Sequence, residues 1–192
     1  MLKYVPNALT ILRFLLIPLI ILFVLTGHYI LAILILTLSG ITDVLDGYIA
    51  RKYNFITDFG KLMDPLADKA TQLATLASLT INGILDSWII YVVIIKEFVM
   101  IAGASFLYGK ELVVSSKWYG KLATVLFYVA IVCTMFINYW NLHIASLYDF
   151  EIFSFDKYIY YLAIISTVFS LIMYIKAFWL KGYLKDKGKN IS

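Results

Sequence analysis

Cysteine is all but missing from this chain: Cys133 stands alone among 192 residues. An intrachain disulfide is therefore excluded. Histidine is nearly as scarce. His28 and His143 fall in short connections far from the acidic stretch described below, and they read as loop or interface residues. Charge is thin as well. Only 15% of residues are charged, against about 25% in soluble domains. No internal repeat and no low-complexity stretch is present. What the chain does have is apolar surface: 62% hydrophobic residues and a mean hydropathy of +0.89. That is the composition of an integral membrane protein, and 192 residues make one domain, 1–192. No nucleic-acid partner is expected.

Six apolar runs are long enough to cross about 30 Å of hydrocarbon. They cover 9–25, 30–50, 60–81, 84–108, 121–139 and 158–180. The first does not read as a signal peptide. Arg13 interrupts its start, and no small-x-small cleavage site follows. Asn82-Gly83 is a turn signal after the third run. The tail after Lys181 is rich in lysine and glycine and reads as solvated. The expected fold is therefore all-α and polytopic, with six transmembrane helices. Six spans put both termini on one side. Placing them in the cytoplasm leaves 15 of the 16 basic residues on or nearest that side, with Lys157 alone outside, as the positive-inside rule requires. Asp86, Asp149, Glu151 and Asp156 gather in the outer connections. The expected location is the cell membrane.

Against this apolar background one stretch stands out. Asp43, Asp46, Asp64 and Asp68 lie within 26 residues, with Arg51 between the pairs. A charge at mid-membrane depth costs roughly 2.5–3.5 kcal/mol on insertion scales, so such a cluster is read as a functional site. Asp43 and Asp46 are three apart and share a helix face; Asp64 and Asp68 are four apart and share another. Gly60 lies on the stripe of Asp64. The polar segment from Lys52 to Phe59 reads as the turn between two antiparallel helices, with Asp58 a solvated loop residue. Four carboxylates at close quarters need cations between them. An all-oxygen ligand set selects Mg²⁺, Mn²⁺ or Ca²⁺ over zinc. Two such ions, roughly 3.5–4 Å apart, would clamp a phosphoryl group. Arg51 is placed to pair with a phosphate. Glycine at 47 permits close approach of a ligand to the backbone, and Ala50 keeps that face shallow. The cluster falls at the cytoplasmic ends of the second and third spans.

The pattern Asp43-x-x-Asp46-Gly47-x-x-Ala50-Arg51-x8-Gly60-x3-Asp64-x3-Asp68 resembles the signature of the CDP-alcohol phosphotransferases. The resemblance implies a membrane enzyme that moves a phosphatidyl or similar group from a CDP-linked donor to an alcohol and releases CMP. It implies two Mg²⁺ or Mn²⁺ ions, bridged by Asp43 and Asp64, with Asp46 completing one site and Asp68 the other. Asp68 would also be the general base. Gly47, Ala50, Arg51, Thr57 and Gly60 would contact the CDP moiety, with Asn7 and Thr10 joining from the first span. A homodimer is implied as well.

A second constellation is basic. It comprises Arg13, Lys96 beside Glu97, Lys110, Lys117 and Lys121, and it would bind the phosphate of an anionic acceptor. The bland alternative is that these are snorkelling anchors at the membrane surface. Ser116-Lys117-x-x-Gly120-Lys121-x-x-Thr124, with Lys96-Glu97-Phe98 before it, resembles the phosphatidylglycerophosphate synthase branch. The opening Pro6-Asn7-x-Leu9-Thr10-x-x-Arg13 is similar too. That branch joins CDP-diacylglycerol to glycerol 3-phosphate. Ala123, Phe127 and Lys96 depart from the branch, which often has lysine, glutamine and arginine there. The alternatives are a cardiolipin synthase of the same family, with phosphatidylglycerol as acceptor, and, from another class, an ion-coupled transporter. A transporter would spread its acids along the membrane depth or break its helices; here the acids gather at one interface.

Overall fold

The structure, a computed structural model, describes residues 5–53, 58–108, 118–145 and 153–189. Side chains are described for 8–49, 52–53, 60, 63–99, 120–145, 153–173 and 176. The described residues form six helices: α1 (Val5–Leu25), α2 (Tyr29–Lys52), α3 (Asp58–Ile81), α4 (Ser87–Tyr108), α5 (Trp118–His143) and α6 (Asp156–Lys189). Four hold a stretch long and apolar enough to cross a membrane: Ala8–Leu25, Tyr29–Ile49, Gly120–His143 and Asp156–Met173. α3 is not among them, because Asp64, Asp68 and Lys69 crowd into its first half.

Several boundaries move from those read in the sequence. α2 runs on through Lys52 and α3 begins at Asp58. The connection is thus shorter than the polar run, and Asp58 opens a helix rather than lying in a loop. α4 starts at Ser87 rather than Ile84, since 84–86 complete the turn. α6 continues to Lys189, past the expected end at Leu180.

Contacts divide the chain into two compact units. One joins Met1–Ile90 with Ile131–Ser154; the other joins Tyr91–Ala130 with Phe155–Ser192. In the first unit, α1 packs against both α2 and α3. Its buried stripe is Thr10, Arg13, Leu16, Ile20 and Val24, a three-and-four spacing that lines one helix face. The other faces show leucine and isoleucine outward. Val44 on α2 is 69% exposed and Leu34 59%. Apolar surface on this scale fits contact with lipid rather than water.

α1 and α3 run parallel. Thr10 meets Asp64 at one end, and at the other the Asn82 side chain donates to the Val24 carbonyl at 2.7 Å. Both helices end in the same way. Gly27 N–H bonds the Val24 carbonyl and His28 N–H that of Phe23; Gly83 N–H bonds Thr80 and Ile84 N–H bonds Leu79. These are paired Schellman closures, which need a left-handed residue just past the helix. Gly27 has φ +76° and Gly83 φ +72°. α2 returns antiparallel after three residues, and its far end is marked by Lys52. That ammonium lies 5.3 Å from the Tyr48 ring centre and 5.7 Å from that of Tyr53. In the second unit, Phe127 packs against Tyr160, ring centres 6.4 Å apart, and the buried face of α6 runs Asp156, Tyr160, Ala163, Thr167, Ser170.

Gly83→Ala tests the closure of α3. A Cβ there would meet nothing within 4 Å, so the cost is purely torsional, about 1–2 kcal/mol. Denaturant unfolding in detergent should show that loss, and wild-type stability would contradict the left-handed closure.

Candidate active site

The site grows from the polar end of the α1 stripe. Thr10 and Arg13 are three apart, so they share the face that carries Leu16, Ile20 and Val24 into the bundle. Both are about 1% exposed. A buried guanidinium must find anions, because desolvating it unpaired is far more costly than pairing it. It finds two. Nη1 lies 2.6 Å from Asp43 Oδ1, and Nη2 donates to Asp46 Oδ2 at 2.5 Å. The i, i+3 spacing on α2 presents both carboxylates to one planar fork, a match that arginine makes and lysine does not. Thr10 Oγ1 donates to Asp64 Oδ1 at 2.6 Å. One turn of α1 therefore ties the end of α2 to the start of α3.

The four aspartates share this neighbourhood. Asp43 and Asp46 lie on the stretch of α2 that Arg13 contacts, and Asp64 and Asp68 on the stretch of α3 that Thr10 contacts. Asp46 is 3% exposed, while Asp43, Asp64 and Asp68 are half-buried. Among the described residues, no three acids or histidines close on one point as a finished metal cage; Arg13 bridges Asp43 and Asp46. The donor set nevertheless fits a hard divalent ion. All its donors are carboxylate oxygens, the half-buried acids are accessible, and the Thr10 hydroxyl orients one of them.

The other expected site residues are distributed as follows. Gly47 is half-buried next to Asp46, and Gly60 is buried one turn before Asp64. Ala50 and Arg51 lie on the last turn of α2, and Asn7 on the first turn of α1. Thr57, Lys110 and Lys117 lie outside the described residues. Lys96 and Lys121 belong to the second unit. Lys96 is buried and its ammonium pairs with Glu97 Oε1 at 2.6 Å; Lys121 is exposed on α5. The roles of Thr10 and Arg13 as partners of the aspartates were missed in the sequence. The available signal was their i, i+3 spacing at the polar end of an otherwise apolar span.

Comparison with known proteins bears directly on this geometry. The CDP-alcohol phosphatidyltransferase family matches residues 3–169, which takes in every one of these side chains. The chain belongs to the CDP-alcohol phosphatidyltransferase family. This is a transferase family, and the apolar helices agree with a multi-pass membrane member of it. Relatives named CDP-diacylglycerol--glycerol-3-phosphate 3-phosphatidyltransferase include one from Mycoplasma genitalium and one from Aquifex aeolicus. The one from Mycoplasma genitalium is 36% identical over 70% of this chain and 58% of its own length. The one from Aquifex aeolicus is 31% identical over 72% of this chain and 79% of its own. A Streptomyces coelicolor relative named cardiolipin synthase (CMP-forming) is 43% identical over 36% of this chain and 33% of its own. The chain thus spans little more than half of the Mycoplasma relative. The arrangement places one carboxylate pair near the end of α2 and one near the start of α3, and α1 contacts both, through Arg13 and Thr10.

Arg13→Ala would strand the buried Asp46 and the half-buried Asp43. Breaking one side of a buried ion pair costs about 3–5 kcal/mol, and thermal unfolding in detergent should register it. Asp46→Asn added to Arg13→Ala should recover part of the loss. A double variant no more stable than Arg13→Ala would separate the two residues energetically.

Proposed function

We propose that this chain transfers a phosphatidyl group from CDP-diacylglycerol to glycerol 3-phosphate, releasing CMP and forming phosphatidylglycerophosphate. The observation that carries the reading is the pairing of Asp43 and Asp46 with Asp64 and Asp68 around the Thr10–Arg13 turn. The names of the relatives supply the substrates. An acceptor hydroxyl attacks the phosphatidyl phosphorus, and the bond from that phosphorus to the oxygen of CMP breaks. The hydroxyl proton passes to Asp68, whose half-buried carboxylate serves as general base. Thr10 fixes the orientation of Asp64. In this reading Arg13 holds Asp43 and Asp46 in register rather than binding acceptor phosphate. Arg51 with Gly47, Ala50, Thr57 and Gly60 takes the CDP moiety, joined by Asn7. Asp43, Asp46, Asp64 and Asp68 would hold divalent ions, Mg²⁺ or Mn²⁺, which supply charge neutralisation for the diphosphate and the leaving CMP. Lys96 and Lys121, with Lys110 and Lys117, take the acceptor phosphate.

The transfer assay that tests this follows CMP release with a panel of acceptors. Asp68→Asn should reduce turnover by at least 10²–10⁴-fold, the usual span of a lost general base, and Asp43→Asn and Asp64→Asn, which each remove a metal ligand, should abolish it. Chelation should abolish activity and added Mg²⁺ or Mn²⁺ restore it. Lys121→Ala should raise the acceptor KM roughly 10- to 150-fold, as for a lost charge-assisted contact, and leave the donor KM alone. Rate retained in the aspartate variants, or a preference for phosphatidylglycerol as acceptor, would overturn the assignment.

We further propose six spans in the cell membrane, with both termini and the aspartates on the cytoplasmic side, and a homodimeric assembly. The basic asymmetry of the sequence supports the orientation. Single cysteines at Asn54 and Asp149, in a Cys133→Ser background, read it out with an impermeant label in right-side-out vesicles. Position 149 should label and position 54 should not; the reverse pattern would invert the topology.

A further inference from the structure

Beyond Asp68, α3 buries or half-buries several hydroxyl side chains, and each is satisfied within the helix. Thr71, Thr75, Ser78 and Thr80 donate to the carbonyls of Ala67, Thr71, Ala74 and Leu76 at 2.8–2.9 Å. Gln72 is different. It is 1% exposed, yet both its Oε1 and its Nε2 lack a hydrogen-bond partner. A buried amide left unmatched is costly, and an apolar side chain of similar volume would avoid the cost. Such a group in a native protein calls for an explanation beyond packing.

Its position supplies one. Asp64, Asp68 and Gln72 are spaced by four and form one stripe that passes from half-buried to buried. Gln72 Cα lies one turn, about 6 Å of rise, beyond Asp68. Side chains on a helix lean toward its N-terminus, which brings residue 72 over the turn of Asp68. The unmatched groups are one acceptor and the two protons of an amide donor. A phosphate or an ester carbonyl would satisfy only the donor. A hydroxyl satisfies both, donating to Oε1 and accepting from Nε2.

We propose that Gln72 determines acceptor specificity by hydrogen-bonding a hydroxyl of the alcohol other than the one that attacks. This rests on the transferase reading above. The acceptor class it selects is a polyol with a second hydroxyl beside the reacting one.

The test compares glycerol 3-phosphate with 3-hydroxypropyl phosphate, which lacks the middle hydroxyl, in CMP release by the intact protein. Wild type should favour glycerol 3-phosphate in kcat/KM by about 2- to 12-fold, the effect of one neutral hydrogen bond. Gln72→Leu and Gln72→Met should bring the two acceptors level, leave the donor KM unchanged and unfold no earlier than wild type. Discrimination preserved in these variants would assign the amide to an internal water and overturn the proposal. So would a wild type that does not discriminate, or a failure of both variants to fold. If the wild type uses only phosphatidylglycerol, the acceptor reading above fails, and the same comparison is made with the headgroup lacking its middle hydroxyl. A wild type inert with every alcohol would overturn both readings together.

Discussion

A buried guanidinium between two carboxylates holds this site together. Arg13 sits in an apolar helix where nothing but an anion can justify its charge, and Asp43 and Asp46 meet it from α2. The three residues become tolerable only together. That mutual requirement places α1 against the end of α2. Thr10, one turn earlier, extends the same face to Asp64 on α3. Two side chains on one helix turn therefore set the relative depth of all four aspartates.

The rest of the first unit is arranged so that this depth is reproducible. α1 and α3 run parallel and close with the same glycine-dependent turn at one end. Asn82, just past the end of α3, donates to the Val24 carbonyl of α1 and pins the register there. At the far end of α2, Lys52 rests among Tyr48 and Tyr53, the amphipathic grouping that suits a membrane surface. Leucine and isoleucine cover the outside, while the buried face carries apolar side chains and, toward one end, Thr10, Arg13 and Asp46. In that setting an acid cluster at one level of the helices marks a candidate site, whereas acids spread along the depth would mark a pathway.

The second unit carries the basic residues of interest, and its chemistry is more guarded. Lys96 is buried and already paired with its neighbour Glu97, so an anionic ligand at Lys96 must compete with a carboxylate. Lys121 is exposed on α5, and among the described residues no carboxylate pairs with it. Between two lysines that look alike in the sequence, the tertiary structure makes Lys121 the more accessible.

Composition, periodicity and the spacing of Asp43, Asp46, Asp64 and Asp68 determined the class of this protein. Apolar runs of helical length admit little besides membrane helices, and fixed gaps place acids on defined helix faces. Asn82-Gly83 announced its turn because only a residue without Cβ accepts a positive φ cheaply. Local sequence did not say where α2 ends or where α3 begins, because polar residues such as Lys52 and Asp58 serve a helix end as well as a loop. Nor did it say what Thr10, Arg13 and Gln72 do. Their partners, or the want of them, lie 33 and 54 residues away for Arg13 and Thr10, and for Gln72 in a buried face that offers none. A side chain's type is local, but the desolvation that forces it to pair exists only once helices remote in the chain have packed around it.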